Sequence, residues 1–191
     1  MKQAPRGLQR TIDRELERGA FKRARDLLLG AIRENPSSHW LWTTLSEVYV
    51  QQKQDARALT TNQRAIRLAP HCPLVLWNHA NALDLLGRES KAIQIWRKLL
   101  RQGERGIPKD SCWESKAWSQ ALLNDCQYRL GHSLLQLGRL KPARHYLNAH
   151  LIFRAEGVKS IYSKKFVEKS ILLLRRKESQ KKRTKIGGHK T

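Results

Sequence analysis

The sequence predicts an all-α protein, a solenoid of about four helical hairpins. Ala24, Ala58 and Ala92 recur with a constant 34-residue period, and Pro70 follows Pro36 at the same interval. A repeat of roughly 20 to 50 residues is typical of small supersecondary units stacked in one direction. Each such unit packs only against its neighbours, so the 191 residues do not need one deep core.

Four hairpins fit the 34-residue register. Apolar residues return at helical spacing within each hairpin, as Phe21, Ala24 and Leu28 do in the first. Gly19 and Gly87 stand two periods apart, where the chain turns between paired helices. The hairpins are expected at about 8–36, 38–70, 72–102 and 112–157.

The register shifts between the third and fourth hairpins. Ala143 follows Ala92 by 51 residues, which is one period of 34 plus an insertion of 17. Glycine and proline in this insertion predict a loop over 103–110. Ser111 and Glu114 have the spacing of a capping box, so we expect a long first helix of the fourth hairpin to begin there.

The C-terminal part is expected to close the array. A capping helix over 158–176 would bury the last hairpin, since terminal units of solenoids need a cap with a polar outer side. Residues 177–191 show no apolar periodicity and are predicted to be a basic disordered tail. The apolar residues expected to pack on the array are Phe166, Val167, Leu172 and Leu173.

The chain is strongly basic, with 38 Lys and Arg against 16 Asp and Glu and a net charge of +22. Residues 157–191 hold twelve of the cations and two of the acids. Such a run attracts polyanions without reading a sequence, so nucleic acid or an acidic surface is a possible partner. The candidate polyanion-binding residues are Arg175, Arg176, Lys177, Lys181, Lys182, Arg183 and Lys185.

Composition also bears on the compartment. No segment reaches the roughly 18 consecutive apolar residues of a membrane-spanning helix, and the first residues do not resemble a secretory signal. The three cysteines are odd in number and form no C-x-x-C pair. We therefore expect a cytoplasmic protein with neither disulfides nor a zinc site.

The fourth hairpin resembles a tetratricopeptide repeat. It carries the leucine–glycine pair of that family as Leu130 and Gly131, the turn glycine as Gly138 and the second-helix alanine as Ala143. The second hairpin has the same alternation of large and small residues. The resemblance covers about residues 8–157 and implies a tetratricopeptide-type solenoid.

The resemblance also implies a binding surface, because these arrays usually hold an extended peptide on the concave face formed by the first helix of each hairpin. Asn78 and Asn81 each offer a paired donor and acceptor. Trp77 and Tyr128 add apolar area with a polar group, the composition of a binding hot spot. The candidate peptide-binding residues are Thr43, Thr44, Trp77, Asn78, Asn81, Tyr128, Arg129 and His132.

The sequence contains no motif for catalysis, for a cofactor or for a metal. Phosphate-binding glycine loops, nucleophile elbows and paired zinc ligands are all missing from it. The favoured interpretation is a non-catalytic adaptor for a peptide or protein segment. The alternative is a nucleic-acid or ribonucleoprotein-associated factor that binds polyanions through its basic helices and tail.

Overall fold

The computed structural model describes residues 5–107 and 115–187, and these residues form nine α-helices and no β-strand. The all-α prediction is confirmed. The pairs α1 and α2, α3 and α4, and α7 and α8 each pack as a hairpin, and α9 follows the last pair. The helices are α1 Arg6–Glu17, α2 Phe21–Glu34, α3 His39–Gln51, α4 Asp55–Leu68, α5 Pro73–Leu85, α6 Glu89–Gly106, α7 Lys116–Gln136, α8 Leu140–Ala155 and α9 Lys164–Gly187.

The described chain separates into two compact units. Unit 1 contains residues 5–95, and unit 2 contains residues 96–107 and 115–187. The boundary lies inside α6.

Unit 1 is built by packing each helix on the next, from α1 to α5. Ala24 and Ala58, which share one position of the repeat, are completely buried. The Ser46 hydroxyl donates to the carbonyl oxygen of Ala58 at 2.8 Å and so joins α3 to α4. The Asn62 amide donates to the carbonyl oxygen of Val75 at 3.4 Å and joins α4 to α5. Neighbouring helices of unit 1 are therefore joined in two ways, by close contact at small residues and by buried hydrogen bonds.

The turns within the hairpins require a left-handed residue. Gly19 and Gly87 have φ of +71° and +68°, a conformation that costs glycine little. Lys53 occupies the same place in the second hairpin, one repeat period from each of these glycines, and adopts φ of +59°. The backbone of this turn is thus kept even where the sequence does not supply glycine.

Unit 2 centres on the hairpin of α7 and α8, which pack against each other along their length. The α7 residues Leu130 and Leu134 are completely buried, as are Ala143 and Leu147 of α8. Gly131 stands among them and lets the two helices approach closely.

Two predicted boundaries around the insertion differ from the structure. The predicted loop 103–110 begins at a break in α6, where Gly103 has φ of +59°, but helical structure resumes and continues to Gly106. The helix α7 begins at Lys116, because the Ser115 hydroxyl accepts a hydrogen bond from the backbone nitrogen of Trp118 at 3.1 Å. The predicted capping box of Ser111 and Glu114 lies outside the described residues.

The C-terminal helix differs more strongly from prediction. It does not end near residue 176 but continues to Gly187, through most of the segment expected to be disordered. Val167 is buried as expected, whereas Phe166 and Leu172 are 61% and 50% exposed. The buried residues of α9 are Val167, Ser170 and Leu174, which lie on the side of the helix that packs against α7 and α8.

The expectation about cysteines is also corrected, since Cys72 is disulfide-bonded. Spacing along the chain could not reveal this bond, because it depends on which residues the fold brings together. Cys126 is a free, buried thiol. A disulfide is uncommon in reducing compartments, so the cysteines no longer support a cytoplasmic location. Within the described residues, no helix has the length and apolarity needed to span a bilayer.

Candidate peptide-binding site

Thr43 and Trp77 occupy one repeat position, a single period apart on α3 and α5. Both were predicted to face a ligand, but they are only 1% and 8% exposed. The Thr43 hydroxyl donates to the carbonyl oxygen of His39 in its own helix at 2.8 Å. This repeat position therefore packs between helices. The 34-residue period relates equivalent positions, but it does not show whether a position is buried or exposed.

Thr44 and Asn78 occupy the next position of the same two helices. The Thr44 hydroxyl donates to the carbonyl oxygen of Trp40 at 2.9 Å, and the Asn78 amide donates to that of Leu74 at 3.2 Å. Each of these donor groups thus has a partner one turn earlier in its own helix.

Asn81 differs from Asn78 although both lie on α5. Its side chain is partly exposed, yet its amide oxygen is buried and has no hydrogen-bond partner in the described part of the chain. A buried acceptor without a partner carries a free-energy cost. The exposed part of the Asn81 side chain is available to a ligand.

A row of polar residues repeats at the position of Asn81. Asp13, Glu47 and Asn81 follow one another at the repeat period and lie on α1, α3 and α5, which are alternate helices of unit 1. We call these three residues the inner row. Of these three residues only Asn81 is among the candidate peptide-binding residues predicted from the sequence, although the repeat period relates all three.

The carboxylates of the inner row lie close to one another. Desolvation by the surrounding protein raises the pKa of Glu47, and the charge of Asp13 raises it further. The pKa of Asp13 is raised first by desolvation and then by the charge of Glu17. The chain is strongly basic, yet in its described part no ion pair involves Asp13, Glu17 or Glu47. Unit 1 therefore has a local concentration of negative charge along the row.

In unit 2, α9 covers two of the predicted ligand-binding residues. Tyr128 is 3% exposed, and its hydroxyl donates to the carbonyl oxygen of Phe166 at 3.4 Å. The hydroxyl oxygens of Tyr128 and Ser170 lie 3.2 Å apart, and Nδ1 of His132 lies 3.1 Å from the Ser170 oxygen. These side chains hold α9 against α7, which is a correction to their predicted role in a groove.

Arg129 also has an intramolecular role. Its guanidinium carbon lies 5.3 Å from the centre of the Trp96 ring, within the range of a cation–π contact. Trp96 is completely buried in α6. The predicted ligand-binding arginine thus packs against α6 within unit 2.

The connection between α8 and α9 is anchored by groups that the sequence did not single out. Asp125 of α7 accepts hydrogen bonds from the Ser160 hydroxyl and, at 3.4 Å, from the backbone nitrogen of Ile161. The Arg154 guanidinium donates to the carbonyl oxygen of Tyr162 at 2.7 Å. Burial raises the pKa of Asp125 to about 6, although these hydrogen bonds and the charge of Arg154 act in the opposite direction. No sequence signal identifies contacts between residues this far apart.

The candidate polyanion-binding residues belong to α9. Arg175, Arg176 and Lys181 are exposed. Lys177 is partly buried, and its ammonium donates to the carbonyl oxygen of Leu135 at 3.3 Å. The structure describes side chains up to residue 181. The predicted polyanion-binding residues Lys182, Arg183 and Lys185 therefore lie outside the described side chains.

Comparison with known proteins identifies the repeat. Residues 15–76 match the tetratricopeptide repeat family. A solved structure described as "MamA RS-1 ArsTM double mutant" superposes with a TM-score of 0.58 at 12% identity, covering 91% of this chain and 94% of that one. A structure titled "Crystal structure of YrrB: a TPR protein with an unusual peptide-binding site" gives a TM-score of 0.44 at 12% identity, covering 75% and 83%. No curated protein sequence matches the chain significantly.

These findings agree with the hairpins described above. The sequence match covers unit 1 from α1 into α5, and the likeness to the MamA structure, at this low identity, concerns the fold alone. Helical repeats of this kind provide extended surfaces for binding other proteins. Residues 15–76 of the chain belong to the tetratricopeptide repeat family, and the likeness to the MamA structure extends the same fold over most of the chain.

Proposed function

We propose that this chain is a protein-interaction adaptor that binds an extended segment of a partner protein along the inner row of unit 1. The observation that supports this proposal most directly is the partly exposed side chain of Asn81, which carries an amide able to form hydrogen bonds. It occupies the same repeat position as Asp13 and Glu47 on alternate helices of unit 1. A ligand that follows the row would meet one polar side chain on each of these helices.

The chemistry of the row favours a particular kind of segment. The Asn81 amide would form a hydrogen bond with the backbone of the ligand. The carboxylates of Asp13 and Glu47 raise each other's energy when both are ionised, and a cationic side chain between them would relieve that repulsion. We therefore expect lysine or arginine in the bound segment.

The test uses arrayed decapeptides of varied sequence as probes, followed by fluorescence anisotropy on the strongest binders. Asn81→Ala should weaken binding by roughly tenfold, because it removes one hydrogen bond to the ligand. Asn78→Ala is the matched control, since its amide donates within α5. It should leave the affinity nearly unchanged.

A second variant tests the charge preference. Glu47→Gln should reduce the affinity for peptides containing lysine or arginine and leave neutral peptides unaffected. The proposal is wrong if the wild-type chain selects no peptide, or if Asn81→Ala and Asn78→Ala bind the selected peptides equally well.

A further inference from the structure

The helix α9 has two opposite faces. One is fixed to the rest of unit 2 by the buried residues Val167, Ser170 and Leu174. Glu178 extends this attachment, since it accepts a hydrogen bond from the Arg144 guanidinium of α8 at 2.9 Å. The helix is therefore attached from Val167 to Glu178, and over this stretch its other side faces solvent.

That other side is basic. Lys165, Lys169, Leu172 and Arg176 follow one another at steps of four, three and four residues, which places them on one side of a helix. All four are exposed. We call them, together with Phe166 beside them, the outer face of α9. Glu168 lies at its edge, and Glu178 is engaged with Arg144 on the attached side.

The outer face also exposes large apolar side chains. Leu172 is 50% exposed between cations, and Phe166 is 61% exposed. Ile161, just before the helix, is 73% exposed. Exposed aliphatic side chains among cations gain nothing from contact with phosphates in water. Single-stranded nucleic acid would call for several aromatic residues on which successive bases stack, and the outer face carries one, Phe166. The interface of an anionic bilayer satisfies both groups, because headgroups attract the cations while the aliphatic side chains enter the acyl boundary.

We propose that the outer face of α9 docks unit 2 on the surface of an anionic phospholipid bilayer. Lys165, Lys169 and Arg176 contact headgroup phosphates and carboxylates, and Phe166 and Leu172 insert between the lipids. The opposite face of the helix stays packed on α7 and α8, so no unfolding is needed. This docking is independent of the peptide site in unit 1.

The full chain is tested by co-sedimentation with vesicles of phosphatidylcholine and phosphatidylserine, and with vesicles of phosphatidylcholine alone. The wild type should bind only the anionic vesicles, and less as salt is raised. Each cation near such a surface is worth about fivefold in affinity, so Lys165→Gln, Lys169→Gln and Arg176→Gln together should weaken binding on the order of 100-fold. A matched control replaces Lys22, Lys91 and Arg64 of unit 1 by glutamine. It removes the same charge from exposed positions and should retain binding.

A further variant separates the bilayer from nucleic acid. Phe166→Ser with Leu172→Ser keeps every charge, and it should weaken vesicle binding by about tenfold or more while circular dichroism shows unchanged helicity. A labelled DNA duplex is bound in parallel. The proposal fails if the wild type ignores anionic vesicles at low salt, or if the control triple variant loses as much affinity as the α9 triple variant. It also fails if the serine variant binds vesicles normally while the α9 triple variant loses the duplex, because the face would then be a nucleic-acid surface.

Discussion

A methyl group built on Gly131 of α7 would lie 2.8 Å from Cγ of Leu147 in α8 and 3.0 Å from the backbone nitrogen of Leu147. Both separations are shorter than an ordinary van der Waals contact. Part of the obstruction is backbone, which cannot rotate away as a side chain can. The absence of a side chain at Gly131 is therefore a condition for the close packing of these two helices.

The first prediction follows from this contact. Gly131→Ala should lower the free energy of unfolding by about 1–3 kcal/mol through overpacking, although alanine is the better helix former. Gly30→Ala in α2 is the matched control, because a methyl there meets no atom within 4 Å. It should raise stability by roughly 0.5–1 kcal/mol. Denaturant titrations of both variants provide the measurement, and an equal gain in the two would contradict the packing described here.

The second prediction concerns the turn of the second hairpin. Lys53 adopts φ of +59°, where the Cβ of an L-residue is strained. Lys53→Gly should stabilise the chain by about 0.5–1 kcal/mol, because relief of strain exceeds the added freedom of the unfolded chain. Lys53→Ala retains a Cβ and should bring no such gain. Thermal melting of the two variants distinguishes loss of strain from loss of the lysine charge.

The third prediction distinguishes the two sides of α9. Leu174 is 3% exposed and Leu172 is 50% exposed on the same helix. Leu174→Ala should cost about 2–5 kcal/mol by leaving a cavity against unit 2. Leu172→Ala should change stability by no more than about 0.5 kcal/mol. If both variants unfold at the same denaturant concentration, the attached side of α9 has been misassigned.

The fourth prediction concerns Asp125 and pH. Its pKa in the folded chain is raised to about 6 from 3.8, so the folded state binds this proton more tightly than the unfolded state. The stability from this site is present below pH 3.8 and is lost as pH rises through 6. The shift corresponds to about 3 kcal/mol. Asp125→Asn removes the titration, and its free energy of unfolding should lack this decline.

Histidines titrate in the opposite sense and must be separated from this effect. Burial lowers the pKa of His79 and of His150 in the folded chain, so their contribution to stability rises with pH. The informative quantity is therefore the difference between wild type and Asp125→Asn, measured by chemical denaturation from about pH 4 to pH 7. A difference that stays constant over this range would rule out a raised pKa at Asp125.

Much of the fold could be predicted because the information is local and repeated. The regular return of Ala24, Ala58 and Ala92 reports the spacing at which helices must approach, and the structure buries all three completely. The same period relates Gly19, Lys53 and Gly87, and all three adopt the left-handed turn. A residue's place within a hairpin is set mainly by its neighbours along the chain, which the sequence contains in full.

The binding residues were harder to predict because exposure depends on what packs from outside the hairpin. Thr43 and Trp77 fit the repeat pattern of a ligand surface, yet neighbouring helices bury them, and α9 buries Tyr128 in the same way. The extension of α9 to Gly187 was also unexpected. The sequence beyond residue 177 is basic and has no apolar period. The contact between Arg144 and Glu178 supports the C-terminal part of α9, and it joins two helices whose residues are far apart in the chain.

The chain's own period therefore specifies helical hairpins, their turns and the small residues between them, because each of these depends on a few neighbouring residues. The assignment of polar residues to ligand, to packing or to solvent depends on distant contacts, such as α9 over Tyr128 and the Ser160 hydroxyl at Asp125. These contacts form only when helices far apart in the sequence meet, so their effect on burial and charge is set by three-dimensional packing.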